Sequence, residues 1–229
     1  MTDAEILNRV DHTLLKMTAS PEEIKTLCDE AVRFKTASVC IPPSYVNIVS
    51  SEYPNLNICT VIGFPLGYSV TAAKVNETEH AIANGANEID MVINVCNVKG
   101  ERFDLVKEEI KLVKEVCSQK ACPQADGSKI LKVIIETCYL TEEEKIRLCQ
   151  IVTETGADFI KTSTGFGSAG AVLADIELFK KHIGNGTKIK AAGGIKTRED
   201  IIAFINAGAS RIGTSSAVKL LTGSEAAGY

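Results

Sequence analysis

The sequence lacks the closely spaced residue pairs from which zinc sites are usually built. Its three histidines, His12, His80 and His182, never form H-x-H or H-x-x-x-H. No two cysteines have the C-x-x-C spacing either. Because structural and catalytic zinc sites commonly use such local pairs, the sequence predicts no metal site.

The sequence also lacks an excess of basic residues and any long apolar run. Its 25 Lys and Arg stand against 29 Asp and Glu, a net charge of −4, so no basic field is available for nucleic acid or an anionic membrane. No stretch approaches the ~20 apolar residues of a membrane span. The first residues, MTDAEILNRVDHTLL, carry acids and no apolar signal segment. We therefore expect a cytoplasmic protein with neither nucleic acid nor membrane as a partner.

Cysteine, by contrast, is well represented, with eight residues in the chain. Multiple cysteines indicate a disulfide framework in small secreted proteins, and this 229-residue chain is neither small nor predicted to be secreted. Reduced thiols are therefore expected.

Short β-type runs alternate with amphipathic helical segments along the chain. Segments 103–116, 142–155 and 198–207 have apolar residues at i, i+3 and i+4. Regular alternation of this kind is typical of a mainly parallel sheet. Counting the weak candidate 10–13 gives the eight strands of a single (β/α)8 TIM barrel over 1–229, with an additional N-terminal helix. The other predicted strands are 36–41, 57–63, 87–95, 130–136, 158–162, 188–192 and 210–214.

Three of these strands begin with the same Gly-Ala joint, in GANEID, GADFIK and GASRIG. Position six of the three copies is Asp90, Lys161 and Gly213. Side chains alternate between the two faces of a strand, so Ile89 and Ile160 should face the helices. Asp90 and Lys161 are then predicted to point into the barrel near its carboxyl end, where barrel active sites lie.

A second lysine, Lys190, ends the next strand in KIKAAGGIK. Two ammonium groups in one small cavity are expected to lower the pKa of at least one of them and leave a neutral amine. A neutral amine attacks carbonyl groups to form a Schiff base, and Asp90 is the expected acid–base partner. Lys161 and Lys190 thus indicate carbon–carbon bond chemistry.

The loops after the last two strands have the composition of a phosphate site. AAGGI at 191–195 and GTSS at 213–216 supply glycine amides and serine hydroxyls, and a helix is predicted directly after GTSS. These two loops are the usual phosphate site of a TIM barrel.

Taken together, the motifs resemble those of the deoxyribose-phosphate aldolase family, class I aldolases that act through a Schiff base. EIDMVINV, LKVIIET, FIKTSTGF, KAAGGI and RIGTSS occur in order, and the resemblance runs from VDHTLLK to the terminal tyrosine. It implies reversible cleavage of 2-deoxy-D-ribose 5-phosphate to D-glyceraldehyde 3-phosphate and acetaldehyde, without metal or organic cofactor. The expected partners are small phosphorylated sugars and aldehydes, and a homo-oligomer is possible.

The resemblance also implies residue roles. Lys161 would form the Schiff base, with Asp90 and Lys190 as proton donor and acceptor. The residues implied for phosphate binding are Gly193, Gly194, Gly213, Ser215 and Ser216.

Two further residues are accessory candidates by the same resemblance. Tyr229 ends a short tail predicted to be mobile, and it would reach the site to help proton exchange at the enamine carbon. Cys40 would face the site, although a small buried apolar role is the simpler interpretation. The chain departs from some family members at Phe166, where they carry a lysine near the phosphate. Segment 117–129 is predicted to be a surface loop.

Two alternative functions remain open from the sequence. Another Schiff-base aldolase or a transaldolase would keep Lys161 and the phosphate loops but use a different donor. A non-catalytic sugar-phosphate binder could use the same fold, because fold does not determine function.

Overall fold

The computed structural model describes residues 1–118, 127 and 129–223. In it, eight parallel strands form a closed barrel in chain order, and the last strand pairs with the first. The predicted (β/α)8 TIM barrel is therefore confirmed. The strands are β1 (Val10–Thr13), β2 (Ser38–Ile41), β3 (Ile58–Ile62), β4 (Glu88–Val92), β5 (Ile130–Ile134), β6 (Phe159–Lys161), β7 (Lys188–Ala192) and β8 (Arg211–Thr214).

Helices follow the strands and surround the barrel. The additional N-terminal helix predicted from the sequence is a short helix that precedes β1. Two 3-10 helices, Pro43–Tyr45 and Thr137–Tyr139, lie after β2 and β5. The α-helices are α1 (Asp3–Leu7), α2 (Pro21–Phe34), α3 (Val46–Glu52), α4 (Thr71–Ala83), α5 (Val95–Lys99), α6 (Phe103–Ser118), α7 (Glu142–Glu154), α8 (Leu173–His182), α9 (Arg198–Ala207) and α10 (Ala217–Thr222).

Capping boxes set the first residue of several helices. Ser20, before α2, accepts a hydrogen bond from the Glu23 amide, and the Glu23 carboxylate accepts one from the Ser20 amide. The same reciprocal arrangement starts α1, α7 and α9. Each box satisfies two backbone N–H groups that a helix start otherwise leaves unpaired.

The strands have two different faces, as the period of two requires. Outward residues such as Ile89, Leu131, Ile160 and Ile212 are fully buried in the apolar core beneath the helices. The inward face carries charge instead. Its charged residues, all buried or partly buried, are Asp11, Glu88, Asp90, Lys132, Lys161, Lys190 and Arg211.

The strands are mostly shorter than predicted. The predicted strand 87–95 ends at Val92, because Asn94 caps α5 through its side chain and starts a helix that the sequence did not indicate. No helix in the described ranges has the length and apolar composition of a transmembrane segment. The predicted tail with Tyr229 and most of the predicted 117–129 loop lie outside the described residues.

Candidate active site

Asp90 lies at the centre of a buried ion cluster inside the barrel. One carboxylate oxygen accepts hydrogen bonds from Lys161 Nζ at 2.7 Å and from Lys190 Nζ at 2.6 Å. The other accepts one from Lys132 Nζ at 2.8 Å. The three catalytic residues predicted from the sequence are thus in direct contact.

The strand register explains why these side chains meet. Lys161 on β6 is the direct partner of Lys190 on β7, and Asp90 on β4 is the partner of Lys132 on β5. Residues opposite one another on adjacent strands point to the same side of the sheet, here the barrel interior. Asp90 and Lys161, which share position six of the Gly-Ala repeat, therefore both point into the barrel and contact one another.

Four charged members of the cluster were not predicted. Asp11 on β1 accepts a hydrogen bond from Lys190 and pairs with Arg211 of β8. Glu88 of β4 pairs with Lys132 and, at 3.0 Å, with Arg211.

A signal for two of these residues was present in the sequence. Glu88 and Arg211 occupy position four of GANEID and GASRIG, two residues before the inward position six. A period of two places both positions on the same face. Lys132 and Asp11 have no such signal, since one lies in an apolar run and the other in the weakest strand.

The contacts shift the pKa values of Asp90, Lys190 and Lys132. Burial alone would raise the pKa of Asp90, but the three lysine ammonium groups outweigh it and hold that pKa well below its usual range. Burial opposes the charge on Lys190, yet the carboxylates of Asp11 and Asp90 raise its pKa. Burial likewise opposes the charge on Lys132, and the nearby carboxylates, Asp90 foremost, raise its pKa.

This electrostatic arrangement differs from the one expected from sequence. From the sequence, Lys190 was expected to repel the Lys161 ammonium group and to transfer protons together with Asp90. In the structure it lies between two carboxylates, so much of its charge is compensated locally. Asp90 is a deprotonated carboxylate shared by three ammonium groups.

Two thiols lie beside the cluster on the same inner face. Cys40 of β2 and Cys59 of β3 are register partners, and Cys59 Sγ lies 3.1 Å from Asp90 Oδ1. The Cys59 thiol lowers the pKa of Cys40 by hydrogen bonding, although burial opposes the shift. Cys40 therefore does face the barrel interior.

The thiols and Asp90 also form a group whose ligand atoms lie within 4.8 Å of one another. A metal ion there would have to compete with Lys132, whose Nζ lies 3.2 Å from Cys59 Sγ and 2.8 Å from Asp90. A fixed ammonium group at this distance makes the position unfavourable for a second cation.

A cavity of about 690 Å³ opens at the carboxyl end of the barrel. Of the seven charged cluster residues, Lys161 lines its wall. Its side chain is 4% exposed, so the amine connects the buried cluster to the cavity. Lys161 thus has open space on one side and the charged groups of the cluster on the other.

All five predicted phosphate-binding residues line the same cavity. Gly193 and Gly194 follow β7 with φ of +82° and +73°, a backbone conformation that favours glycine. A Cβ at Gly193 would lie 3.1 Å from the Gly170 backbone, so the loops are in close contact. The lining includes Gly193, Gly194, Gly213, Ser215 and Ser216.

Phe166 also lines the cavity and adds no charge to it. Its ring packs edge-to-face on Phe64 with centroids 5.3 Å apart and an interplanar angle of 87°. Lys16 and Lys196 are further lining residues, so cationic side chains other than Lys161 face this space. Lys16 is paired with Glu23. The predicted accessory residue Tyr229 lies outside the described ranges.

The chain matches known aldolases over nearly its full length. A family model for the DeoC/LacD family aldolase matches residues 6–222. A protein of Clostridium botulinum (strain Eklund 17B / Type B) named deoxyribose-phosphate aldolase is 59% identical over 230 residues, with 100% of both chains covered. The solved aldolase QR15 is 39% identical with a TM-score of 0.87 over 94% of each chain. A tetrameric deoxyribose phosphate aldolase from Aeropyrum pernix is 29% identical with a TM-score of 0.84, covering 96% of this chain and 91% of its own.

Proposed function

Since the chain belongs to the DeoC/LacD family of aldolases, we propose that it cleaves 2-deoxy-D-ribose 5-phosphate reversibly to D-glyceraldehyde 3-phosphate and acetaldehyde through a Schiff base on Lys161. The observation that carries this proposal is the position of Lys161. Its amine is hydrogen-bonded to Asp90 within the cluster and also lines the cavity.

The choice of Lys161 over its neighbours follows from its ion pairs. Within the described residues Lys161 pairs with one carboxylate, whereas Lys190 pairs with two and Lys132 with three. Of the three lysines, Lys161 is therefore the one held by the fewest carboxylates, and it also lines the cavity. A neutral amine is the form that adds to a carbonyl group.

The reaction then proceeds in balanced steps. The neutral amine adds to C1 of the open-chain sugar, and loss of water gives an iminium ion. Removal of the C3 hydroxyl proton breaks the C2–C3 bond, which releases D-glyceraldehyde 3-phosphate while the electron pair moves into an enamine. Protonation at C2 and addition of water return the amine and acetaldehyde.

The cluster supplies a proton acceptor beside Lys161. Asp90 Oδ2 is 2.7 Å from Lys161 Nζ and 2.6 Å from Lys190 Nζ, distances that suit direct proton transfer. In this proposal Asp90 and Lys190 exchange the protons that the C3 hydroxyl loses and C2 gains. Asp11 holds Lys190 in place through an ion pair.

The phosphate group would bind at the rim formed by the loops after β7 and β8. Gly193, Gly194 and Gly213 offer close backbone approach, and the Ser215 and Ser216 hydroxyls line the same space. In this proposal the phosphorylated end of the sugar lies at the rim while C1 reaches Lys161.

The cellular setting and assembly form part of the same proposal. The cysteines that the structure describes are free thiols, which suits the reducing cytoplasm. The Aeropyrum pernix relative is described as tetrameric, and it supports a homo-oligomer here.

Borohydride trapping tests the assignment. Reduction in the presence of acetaldehyde should leave an ethyl group on Lys161, found by peptide mapping, and should inactivate the enzyme. An ethyl group mainly on Lys190 would overturn the choice of nucleophile. Turnover is measured separately as acetaldehyde released from 2-deoxyribose 5-phosphate. Binding of that sugar without acetaldehyde release would instead support another aldolase specificity or a non-catalytic binder.

A further inference from the structure

Glu136 is a buried carboxylate beside the cavity that the proposed reaction does not use. It lies two residues beyond the end of β5, is 5% exposed, and has φ 55° and ψ 66°. Few non-glycine residues adopt this left-handed conformation, because Cβ is crowded there. Such backbone strain persists where surrounding contacts require it, and it often occurs at functional sites.

The contacts of Glu136 explain its conformation. Its carboxylate accepts the Thr164 N–H at 3.1 Å and also accepts the Thr164 hydroxyl hydrogen. Thr164 Oγ1 in turn accepts the Phe166 N–H at 3.0 Å. Glu136 thus holds the turn 164–166 through two successive hydrogen-bonding steps.

This turn forms part of the cavity wall. Thr164, Gly165 and Phe166 all line the cavity, whereas Glu136 does not. A Cβ on Gly193 would lie 3.4 Å from Gly165 Cα, so the turn packs directly against the first glycine of the proposed phosphate site. A shift of the turn would therefore shift or crowd Gly193.

The segment after Phe166 is also confined by Glu136. A Cβ on Gly167 would lie 3.2 Å from the Glu136 carboxyl carbon and 2.9 Å from Cys138 Sγ. The chain passes so close to the carboxylate that there is little room for a side chain. Glu136 is consequently close to the chain on both sides of Phe166, at Thr164 and at Gly167.

We propose that Glu136 is a positioning residue that holds the turn 164–166 against Gly193, and so controls binding of the phosphorylated end of the substrate. This inference rests on the proposed function. Among the described residues the Glu136 carboxylate bonds to Thr164 and does not line the cavity, so it acts through Thr164. Its loss should weaken recognition of phosphate more than chemistry at Lys161.

The test compares Glu136→Leu, Glu136→Gln and Thr164→Val with the wild-type enzyme. Glu136→Leu removes both acceptors and should raise KM for 2-deoxyribose 5-phosphate about tenfold, because two buried donors lose their partner. Glu136→Gln keeps one acceptor oxygen, so its KM should rise much less than that of Glu136→Leu. KM for unphosphorylated 2-deoxyribose, kcat and borohydride trapping of acetaldehyde should change far less.

A double variant distinguishes positioning from a general structural effect. If Glu136 acts through Thr164, adding Glu136→Leu to Thr164→Val should raise KM by less than it does in the wild type, because only the Thr164 N–H then loses its acceptor. Glu154→Gln is the matched control, since this exposed carboxylate pairs with Lys107 on the outer surface. It should leave both KM values unchanged.

The outcomes separate the two proposals. Absence of wild-type turnover on 2-deoxyribose 5-phosphate would remove the proposed function, whatever the variants do. With wild-type turnover present, additive effects of the two substitutions, or equal losses with phosphorylated and unphosphorylated sugar, would overturn the role of Glu136. Titration with sn-glycerol 3-phosphate gives a check independent of turnover, and unchanged affinity in Glu136→Leu would also overturn it.

Discussion

Asp11 and Lys190 form a buried ion pair across 179 positions of sequence. Asp11 lies on β1 and Lys190 on β7, and the side chain of Arg211 on the intervening β8 pairs with the same carboxylate. The first strand thus contributes the anion that balances charge on the last two. Lys190 is compensated on both sides, by Asp11 and by Asp90.

Replacing Lys190 with methionine should affect both activity and stability. Lys190→Met leaves Asp11 and Asp90 buried with one fewer ammonium group, and loss of one partner from a buried ion pair costs about 3–5 kcal/mol. We expect turnover to be nearly abolished and the free energy of unfolding in urea to fall by a similar amount.

The double variant Asp11→Asn/Lys190→Met is the control for this effect. It removes one charge of each sign, so part of the stability should return while turnover stays low. An equal or greater loss of stability in the double variant would contradict the electrostatic explanation.

Lys161→Arg separates charge from nucleophilicity. Arginine keeps the positive charge beside Asp90, but its guanidinium remains protonated and cannot form an imine. We expect no measurable turnover and no acetaldehyde-dependent borohydride labelling, with near-normal thermal stability. Lys196→Arg provides the matched control, and retained labelling of Lys161→Arg at another lysine would show that the nucleophile is elsewhere.

The cluster should also set the acid limit of stability. The pKa values of Asp11 and Asp90 are lowered in the folded protein, from an ordinary value of about 3.9, because the surrounding cations outweigh burial. Groups of this kind stabilise the fold above their unfolded pKa and lose that contribution as pH falls through the folded pKa. The loss should therefore begin below about pH 4, at about 1.4 kcal/mol per pH unit for each carboxylate.

Urea unfolding between pH 2.5 and 8 checks this prediction. The lysines set the limit at alkaline pH. Because the pKa values of Lys132 and Lys190 are raised, these residues keep stabilising the fold up to at least the ordinary lysine pKa of about 10.4. Between these two pH limits the contribution of the cluster to the free energy of unfolding should stay constant. The variant Asp90→Asn should show a shallower acid slope, and an identical slope would mean that other groups cause the acid transition.

Alkylation should distinguish the cysteines by burial. Burial raises the pKa of Cys28, Cys117 and Cys149 to about 12, whereas Cys96 is exposed. Only the thiolate reacts, so iodoacetamide at pH 8 should label the three buried thiols more than about a thousandfold more slowly than Cys96. Mass spectrometry of native protein over time measures the rates. Labelling of Cys28 as fast as Cys96 would indicate frequent local opening of α2.

The sequence contained enough periodicity to predict the barrel and part of the cluster. Asp90 and Lys161 share a position in a repeat, and the alternation of side chains then directs both inward. Lys132 could not be recognised in this way, because its neighbours in ILKVII are apolar and a single strand does not show which charges will meet. Asp11 could not be recognised either, because it lies on a four-residue strand that is defined by its pairing with β2 and β8.

Glu136 was harder still to recognise from the sequence. Its position after β5 resembled a continuation of the strand, and the predicted strand 130–136 included it. The left-handed backbone that turns its carboxylate toward Thr164 depends on contacts made 28 residues later. Local propensity cannot report such a tertiary effect.

The pairing of β1 with β8 has a consequence for synthesis of the chain on the ribosome. Asp11 emerges early, but Lys190 and Arg211, two of its partners, emerge only near the end. A nascent chain that stops after α8 contains Lys161 and Asp90 but lacks Lys190 and Arg211. Burial of the Asp11 carboxylate is then unfavourable, because these two counter-charges are missing. The ion pairs of Asp11 with Lys190 and Arg211 can therefore form only once the last two strands have closed the barrel.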